Sequence, residues 1–179
     1  MRSEEGFLLA RYKVALNEDG KLAPSSKILN PTEPSDENTW YAYVEPNPPS
    51  EWFNSQTYVD TFSKSAIARC IEITHDKYKS KVRNEFGKVI PSIFTDEQQF
   101  AHKTQLRDAR QRQDIFMPWS LDLPETFKNR FGYDLLERLL ETVWDRPADM
   151  GPSTARYHFH DQICERFVEA FMDQISAWC

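Results

Sequence analysis

The sequence predicts an α/β fold, a partial (β/α)8 barrel of the TIM type with few parallel strands and several long helices. Three observations point there. The short apolar run Val89-Ile90-Pro91-Ser92-Ile93-Phe94 closes on Thr95, Asp96 and Glu97, and a run of that kind reads as a buried strand. A helical pattern precedes it and a strand-like stretch precedes the helix, the order of a βαβ unit with a parallel pair. Strongly apolar helices follow, with no strand pattern after the last. In a β/α barrel the carboxyl ends of the strands line the active site. Asp96 and Glu97 are therefore the candidate catalytic residues. Side chains alternate along a strand, so one of the two faces a substrate, and Glu97 is the choice.

The elements follow in order. Phe7 to Leu16 is rich in strand formers, and Asn17-Glu18-Asp19-Gly20 is a turn signal. Lys21 to Leu29 returns as a second short strand. Pro31 to Asn38 is a polar loop, and Trp40 to Glu45 is a further strand that ends at Pro46-Asn47-Pro48-Pro49. The loop beyond carries Trp52, Phe53, Asn54, Gln56 and Tyr58. Aromatics on such a loop suit either stacking on sugar rings or packing over a rim. Asp60 caps a helix from Thr61 to about Arg83, whose apolar face is Phe62, Ala66, Cys70, Ile73, Tyr78 and Val82. Gly87 ends the unit.

Gln98 to Asp114 is polar and reads as a solvated loop or an exposed helix. Pro124 opens a short helix that Gly132 ends. Asp134 and Glu137 form a capping box for a helix with Leu135, Leu136, Leu139, Leu140 and Val143. Ser153 or Thr154 caps the last helix, with Phe159, Ile163, Phe167, Phe171, Ile175 and Trp178 as its apolar stripe. Residues 1–179 read as one partial barrel domain, cut short on its C-terminal side and without accessory domains.

Composition narrows the function. A net charge of −6 argues against a basic nucleic-acid surface. No apolar run reaches the roughly 18 residues of a membrane span, and no signal-peptide pattern opens the chain, which leaves the compartment open. Three widely spaced cysteines form neither zinc-like pairs nor a disulfide framework, and Cys70 and Cys164 read as buried apolar residues. His158 and His160 stand two apart on a helix and point to different faces. No metal site and no cofactor is expected.

Several stretches occur in an order that resembles a known group. They are Tyr58-Val59-Asp60, Glu72-Ile73-Thr74-His75-Asp76-Lys77-Tyr78, Phe86-Gly87-Lys88 leading into the Val89–Glu97 run, Pro118-Trp119-Ser120-Leu121-Asp122-Leu123-Pro124, Phe131-Gly132-Tyr133-Asp134-Leu135-Leu136, and Arg156-Tyr157-His158 with Phe167-Val168-Glu169-Ala170-Phe171 and Trp178-Cys179. Together they resemble the catalytic barrel of large multidomain glycoside hydrolases of the alpha-L-rhamnosidase-like group, many of which also carry sugar-binding β-sandwich domains. The group's pattern runs Phe-Thr-Asp-Glu-Pro, and Gln98 stands here in place of the proline. Members are several times longer than this chain.

The resemblance implies hydrolysis of glycosidic bonds in plant or microbial polysaccharides by carboxylate acid/base chemistry, with a carbohydrate substrate and the remainder of a larger barrel as partners. Glycoside hydrolysis needs two carboxyl groups across the scissile bond, one of them a proton donor. A donor must stay protonated near neutral pH, which burial or a neighbouring like charge achieves. Glu97 is the expected acid, with Asp96 tuning it or holding a sugar hydroxyl or a metal. Glu45, Trp52, Asn54 and Tyr58 are the candidate substrate-binding residues. No second catalytic carboxylate is identifiable, so the isolated chain is expected to be inactive if the missing barrel supplies it. The alternative is a non-catalytic remnant, a carbohydrate-binding or interaction fragment.

Overall fold

The computed structural model describes residues 3–96 and 98–179. It is a mixed α/β structure in which a small antiparallel sheet packs on helices. Strand β1 (Phe7–Lys13) lies between β2 (Lys27–Ile28) and β3 (Thr39–Val44), and both pairings are antiparallel. In β1 the side chains of Ala10 and Tyr12 turn inward, as does Val14 just beyond it, and Arg11 and Lys13 turn outward. This is the period-two pattern of a sheet with one buried face. The register shifts between Leu8 and Ala10, so Leu9 is the extra residue of a bulge. The bulge breaks the alternation at that end, and Phe7 and Leu8 are exposed.

The helices begin with α1 (Lys64–Ile71), which runs through a π-helical turn at Glu72–Asp76 into α2 (Lys77–Val82). Later come α3 (Leu123–Phe131), α4 (Leu135–Arg138) and α5 (Thr154–Phe167), the last continuing through a second π-helical turn at Val168–Met172 into α6 (Asp173–Trp178). Their starts follow capping chemistry. Asp134 accepts from the Leu136 amide at 2.8 Å, and Ser153 accepts from the Arg156 amide at 3.0 Å. Gly132 ends α3 with φ +78°, a conformation that favours glycine.

The main core joins Ala10, Tyr12 and Val14 of the sheet side to Leu123, Phe127, Leu135, Leu139, Trp144, Phe159 and Ile163 of the helices. Phe127 and Phe159 are fully buried. A smaller cluster joins Ile67 and Ile71 of α1 to Phe171, and Phe167 borders both clusters. No helix among the described residues is long and apolar enough to cross a membrane.

The expected partial barrel with parallel strands is overturned. The described sheet is antiparallel throughout, and the described residues of the run after Gly87 form no strand. Among the described residues it pairs through an isolated bridge between Phe86 and Ile90, which closes a turn at Gly87. From Pro91 to Asp96 the chain is exposed, with Val89 at 77 % and Phe94 at 82 %. The physical reason lies in the run itself. Pro91 has no N–H to give to a ladder, and Ser92 breaks the apolar sequence, so a two-sided buried strand is not available to it.

Two smaller expectations also change. The long helix starts at Lys64, because Ser63 and not Asp60 supplies the cap, accepting from the Ala66 amide at 3.3 Å. Cys70 is half-buried and Cys164 is exposed, since both lie off the buried stripe of their helices. The polar stretch from Gln98 to Asp114 contains no helix among its described residues and is strapped to the core. Arg110 donates to the carbonyls of Asn17 and Glu18 at 2.8 and 2.6 Å, Trp144 donates to the Ala109 carbonyl at 2.9 Å, and Leu106 packs on the main cluster.

A charged hub ties α4 to α5. Glu141 accepts from Arg138 at 2.7 and 2.9 Å and from the Ser153 hydroxyl at 2.7 Å, and its carbonyl accepts from Arg156 at 2.9 Å. Burial opposes ionisation of Glu141, but hydrogen bonds from Arg138 and Ser153, with the nearby charge of Arg146, hold its carboxyl below the usual value. A carboxyl depressed in the folded state stabilises above its unfolded pKa of about 4.3, and that contribution is lost as pH falls through the folded value. E141Q is expected to lose roughly 1–3 kcal/mol at pH 7. The gap to the parent protein should narrow at pH 3, as measured by urea denaturation at the two pH values.

Candidate functional site

The loop after β3 is a closed, rigid turn. The Ser50 amide donates to the Gln56 carbonyl at 3.1 Å, the Ser55 amide donates to the Ser50 carbonyl at 2.9 Å, and the Ser50 hydroxyl accepts from the Trp52 amide at 3.2 Å. Asn54 and Ser55 take left-handed conformations at φ 55° and 58°. Asn54 therefore closes the turn through its backbone, its amide donating to the Glu51 carbonyl at 3.1 Å. The turn raises Trp52 into solvent at 85 % exposure. Phe53 points the other way and meets Tyr58 with ring centroids 4.6 Å apart.

Tyr58 connects this turn to the carboxylate-bearing stretch. Its hydroxyl accepts from the Gln99 amide at 3.4 Å, a long bond. The Thr61 hydroxyl donates to the Gln99 carbonyl at 3.1 Å. Phe100 packs on Phe62 and Phe167 at 5.1 and 5.5 Å. The chain is thus fixed from Gln99 onward against the segment 58–62. Asp96 itself is exposed, and Glu97 lies outside the described residues.

Beneath this contact lies a polar network that spacing in the sequence does not disclose. Asp60 accepts from the Phe62 amide at 2.9 Å and from the Ser120 hydroxyl at 2.8 Å. Asp122 lies 3.1 Å from the same hydroxyl, whose single proton is shared between the two carboxylates, and it accepts from Arg166 at 2.7 Å. Arg166 also donates to the Phe62 carbonyl and to the Thr126 hydroxyl, both at 2.9 Å. The Tyr58-Val59-Asp60 and Pro118–Pro124 stretches, more than fifty positions apart in sequence, meet here. Asp60, Ser120 and Asp122 lie in stretches singled out above. Arg166 lay outside them, and its reach across to Asp122 leaves no local signature.

Glu45 is engaged elsewhere. It accepts from the Ser3 amide at 3.0 Å and the Ser3 hydroxyl at 2.5 Å, and its carboxylate packs over Gly6. Asn54 acts through its backbone, and Trp52 and Tyr58 belong to one loop. An open, mainly apolar groove lined by Thr74, His75, Tyr78, Ile90, Ser92 and Ile93 runs beside the same exposed stretch, and Asp96 is not part of its lining.

His158 and His75 are engaged in ring contacts. His158 stacks on Phe131 at 4.0 Å and shares a hydrogen bond with the Tyr133 hydroxyl at 3.0 Å, and His75 meets Trp178 edge to face at 5.1 Å. Burial and the charges of Lys103 and Arg156 push the His160 imidazole below its ordinary value. Among the described residues no group of three or more His, Cys, Asp or Glu side chains converges as a metal site would require.

No protein-family model, curated protein or solved structure matches this chain.

The network makes a direct prediction. R166M keeps the side-chain stem but removes the donors to Asp122, the Phe62 carbonyl and Thr126. It should cost roughly 1–3 kcal/mol, read as a lower urea midpoint with an unchanged slope.

Proposed function

We propose that this chain takes part in glycosidic-bond hydrolysis, as an alpha-L-rhamnosidase-like glycoside hydrolase with Glu97 as proton donor and Asp96 beside it. The reading stands on the ordered set of motifs and no longer on a barrel. One observation carries it: Tyr58 touches both halves of the candidate site, through its ring to the turn that displays Trp52 and through its hydroxyl to Gln99. Trp52 is the platform for a sugar ring, because a large flat apolar face held on a rigid turn loses little entropy on binding. Phe94 offers a second exposed ring on the carboxylate-bearing stretch. A bound sugar would exclude water from that stretch, the condition a proton-donating carboxyl needs.

A second reading is a carbohydrate-binding fragment without catalysis. Its support is the exposure of Asp96, since catalytic acids are ordinarily sheltered.

Leaving-group chemistry separates the two. A general acid matters for a poor leaving group and little for a good one. E97Q should therefore lower kcat on a 4-methylphenyl alpha-L-rhamnoside by about 10²–10⁴-fold and change turnover of the dinitrophenyl rhamnoside far less. Equal turnover of both substrates by E97Q and the parent protein removes Glu97 from the mechanism. Saturable binding of an oligosaccharide with no turnover favours the second reading. W52A should weaken that binding by about tenfold, a loss of more than ~1 kcal/mol as for other aromatic anchors, and leave the melting temperature unchanged because the ring is already in water.

A further inference from the structure

We propose that the groove between the first long helix and the stretch after Gly87 takes an acidic peptide segment of a partner protein, anchored by one or two apolar side chains; the proposal stands apart from the hydrolase reading. Thr74, His75 and Tyr78 line the groove from the helix, and Ile90, Ser92 and Ile93 line it from the stretch. Its volume of about 340 Å³ falls within the roughly 300–1,000 Å³ of ligand sites. On the helical side the polar groups are spent on one another. The Thr74 hydroxyl donates to the Cys70 carbonyl at 2.6 Å and lies 2.8 Å from His75 Nδ1, and the His75 ring meets Trp178 edge to face. The groove therefore offers a guest mainly apolar surface. Tyr78 and Ile93 are both exposed, with the rings and branches of Val89 and Phe94 exposed beside them, and contiguous exposed apolar surface of this kind marks interaction sites.

The rim is basic, against the charge of the chain as a whole. Residues 77–88 hold Lys77, Lys79, Lys81, Arg83 and Lys88 with Glu85 as their single acid, while the whole chain carries a net charge of −6. None of these five cations forms an ion pair with a described residue. Lys81 stands three residues on from Tyr78 and shares its helix face. The Lys79 ammonium lies 5.2 Å from the centre of the Trp178 ring, which also meets His75 and Phe86. Lys88 sits in the turn that carries Ile90. The acids nearby are Glu72, held by Arg69, Asp76, which accepts from the Trp178 indole at 2.9 Å, and Glu85, and the cations outnumber them. Unpaired cations beside an apolar trough complement carboxylates that flank an apolar anchor. Salt limits the reach of the field to about 10 Å at 0.1 M, so a segment lying in the trough meets the basic rim. An anionic bilayer is a broad plane that also meets the acidic surface beyond the rim, and it does not enter a concave groove.

The probe is an array of fluorescein-labelled octapeptides rich in aspartate and glutamate, each with leucine or phenylalanine at two positions stepped through every spacing, titrated with the full chain and read by anisotropy. A subset should bind saturably, and binding should be lost when lysine replaces the acids or alanine replaces the apolar pair. The double variant K81E/K88E and the single variant I93D should each weaken that binding by about tenfold or more. Both should keep the parent melting temperature, because the replaced side chains are exposed. No saturable binding by any member of the array overturns the proposal, as does equal binding of the lysine-substituted set or indifference to both variants. Binding to phosphatidylserine–phosphatidylcholine vesicles without peptide binding assigns the face to a membrane. A dimer in sedimentation that either variant dissolves, again without peptide binding, assigns it to a second copy of the chain. Either result also overturns the proposal. Rhamnoside turnover by the parent protein and E97Q reports on the hydrolase reading alone, so the two readings fail separately.

Discussion

The hydroxyl of Tyr12 is buried between the sheet and α4, and the rest of the packing is arranged around it. The phenol donates to the Leu136 carbonyl at 2.8 Å. Burial and the nearby Asp134 charge raise its pKa, so it stays a neutral donor at any physiological pH. A buried hydroxyl without a partner would cost several times what the bond returns, which fixes how far β1 can slide over the helices. Ala10 and Val14 then sit on either side against Leu123, Phe127 and Phe159. Leu136 belongs to α4, whose continuation carries Glu141, and Glu141 holds the start of α5. One strand register therefore sets the placement of the longest helix.

That helix transmits the placement to the candidate site. Phe167 borders both hydrophobic clusters, and Phe100 lies on it. Arg166, next along, reaches Phe62 and Asp122. The segment 58–62 and the anchor at Gln99 thus rest on α5 through a pair of adjacent residues, one apolar and one charged. The division of labour is physical: the ring contacts supply most of the burial, and the guanidinium supplies direction.

Much of this was legible in the chain. The β1 and β3 strands show as runs of branched and aromatic residues bounded by turn and proline signals. The terminal stripe shows as a helical repeat, and Ser153 and Asp134 cap where their residue types suggest. The misreading falls at Val89–Glu97. An apolar run marks burial only if it also finds ladder partners and a surface to cover, and neither is written locally. Pro91 was the local warning. The residues most engaged at the candidate site, Thr61, Ser120 and Arg166, are legible least, because their meaning comes from partners 38, 60 and 44 positions away. Glu45, a carboxylate at a strand end, accepts from Ser3, a partner 42 positions away that no local pattern announces.

The loss of the barrel changes what the carboxylates must be supplied with. At the end of a buried strand, a carboxyl inherits shelter from the walls around it. Here Pro91–Asp96 lie exposed, and Phe94 among them holds its ring in solvent. Proton donation from such a stretch then requires that the substrate itself, or chain packed over it, complete the shelter. Aromatic faces are suited to that task, since they lose apolar exposure when a sugar ring covers them and leave its hydroxyls free to bond at the edge. On this reading substrate binding and activation of the acid are one event, and the exposure of the free site is what makes them inseparable.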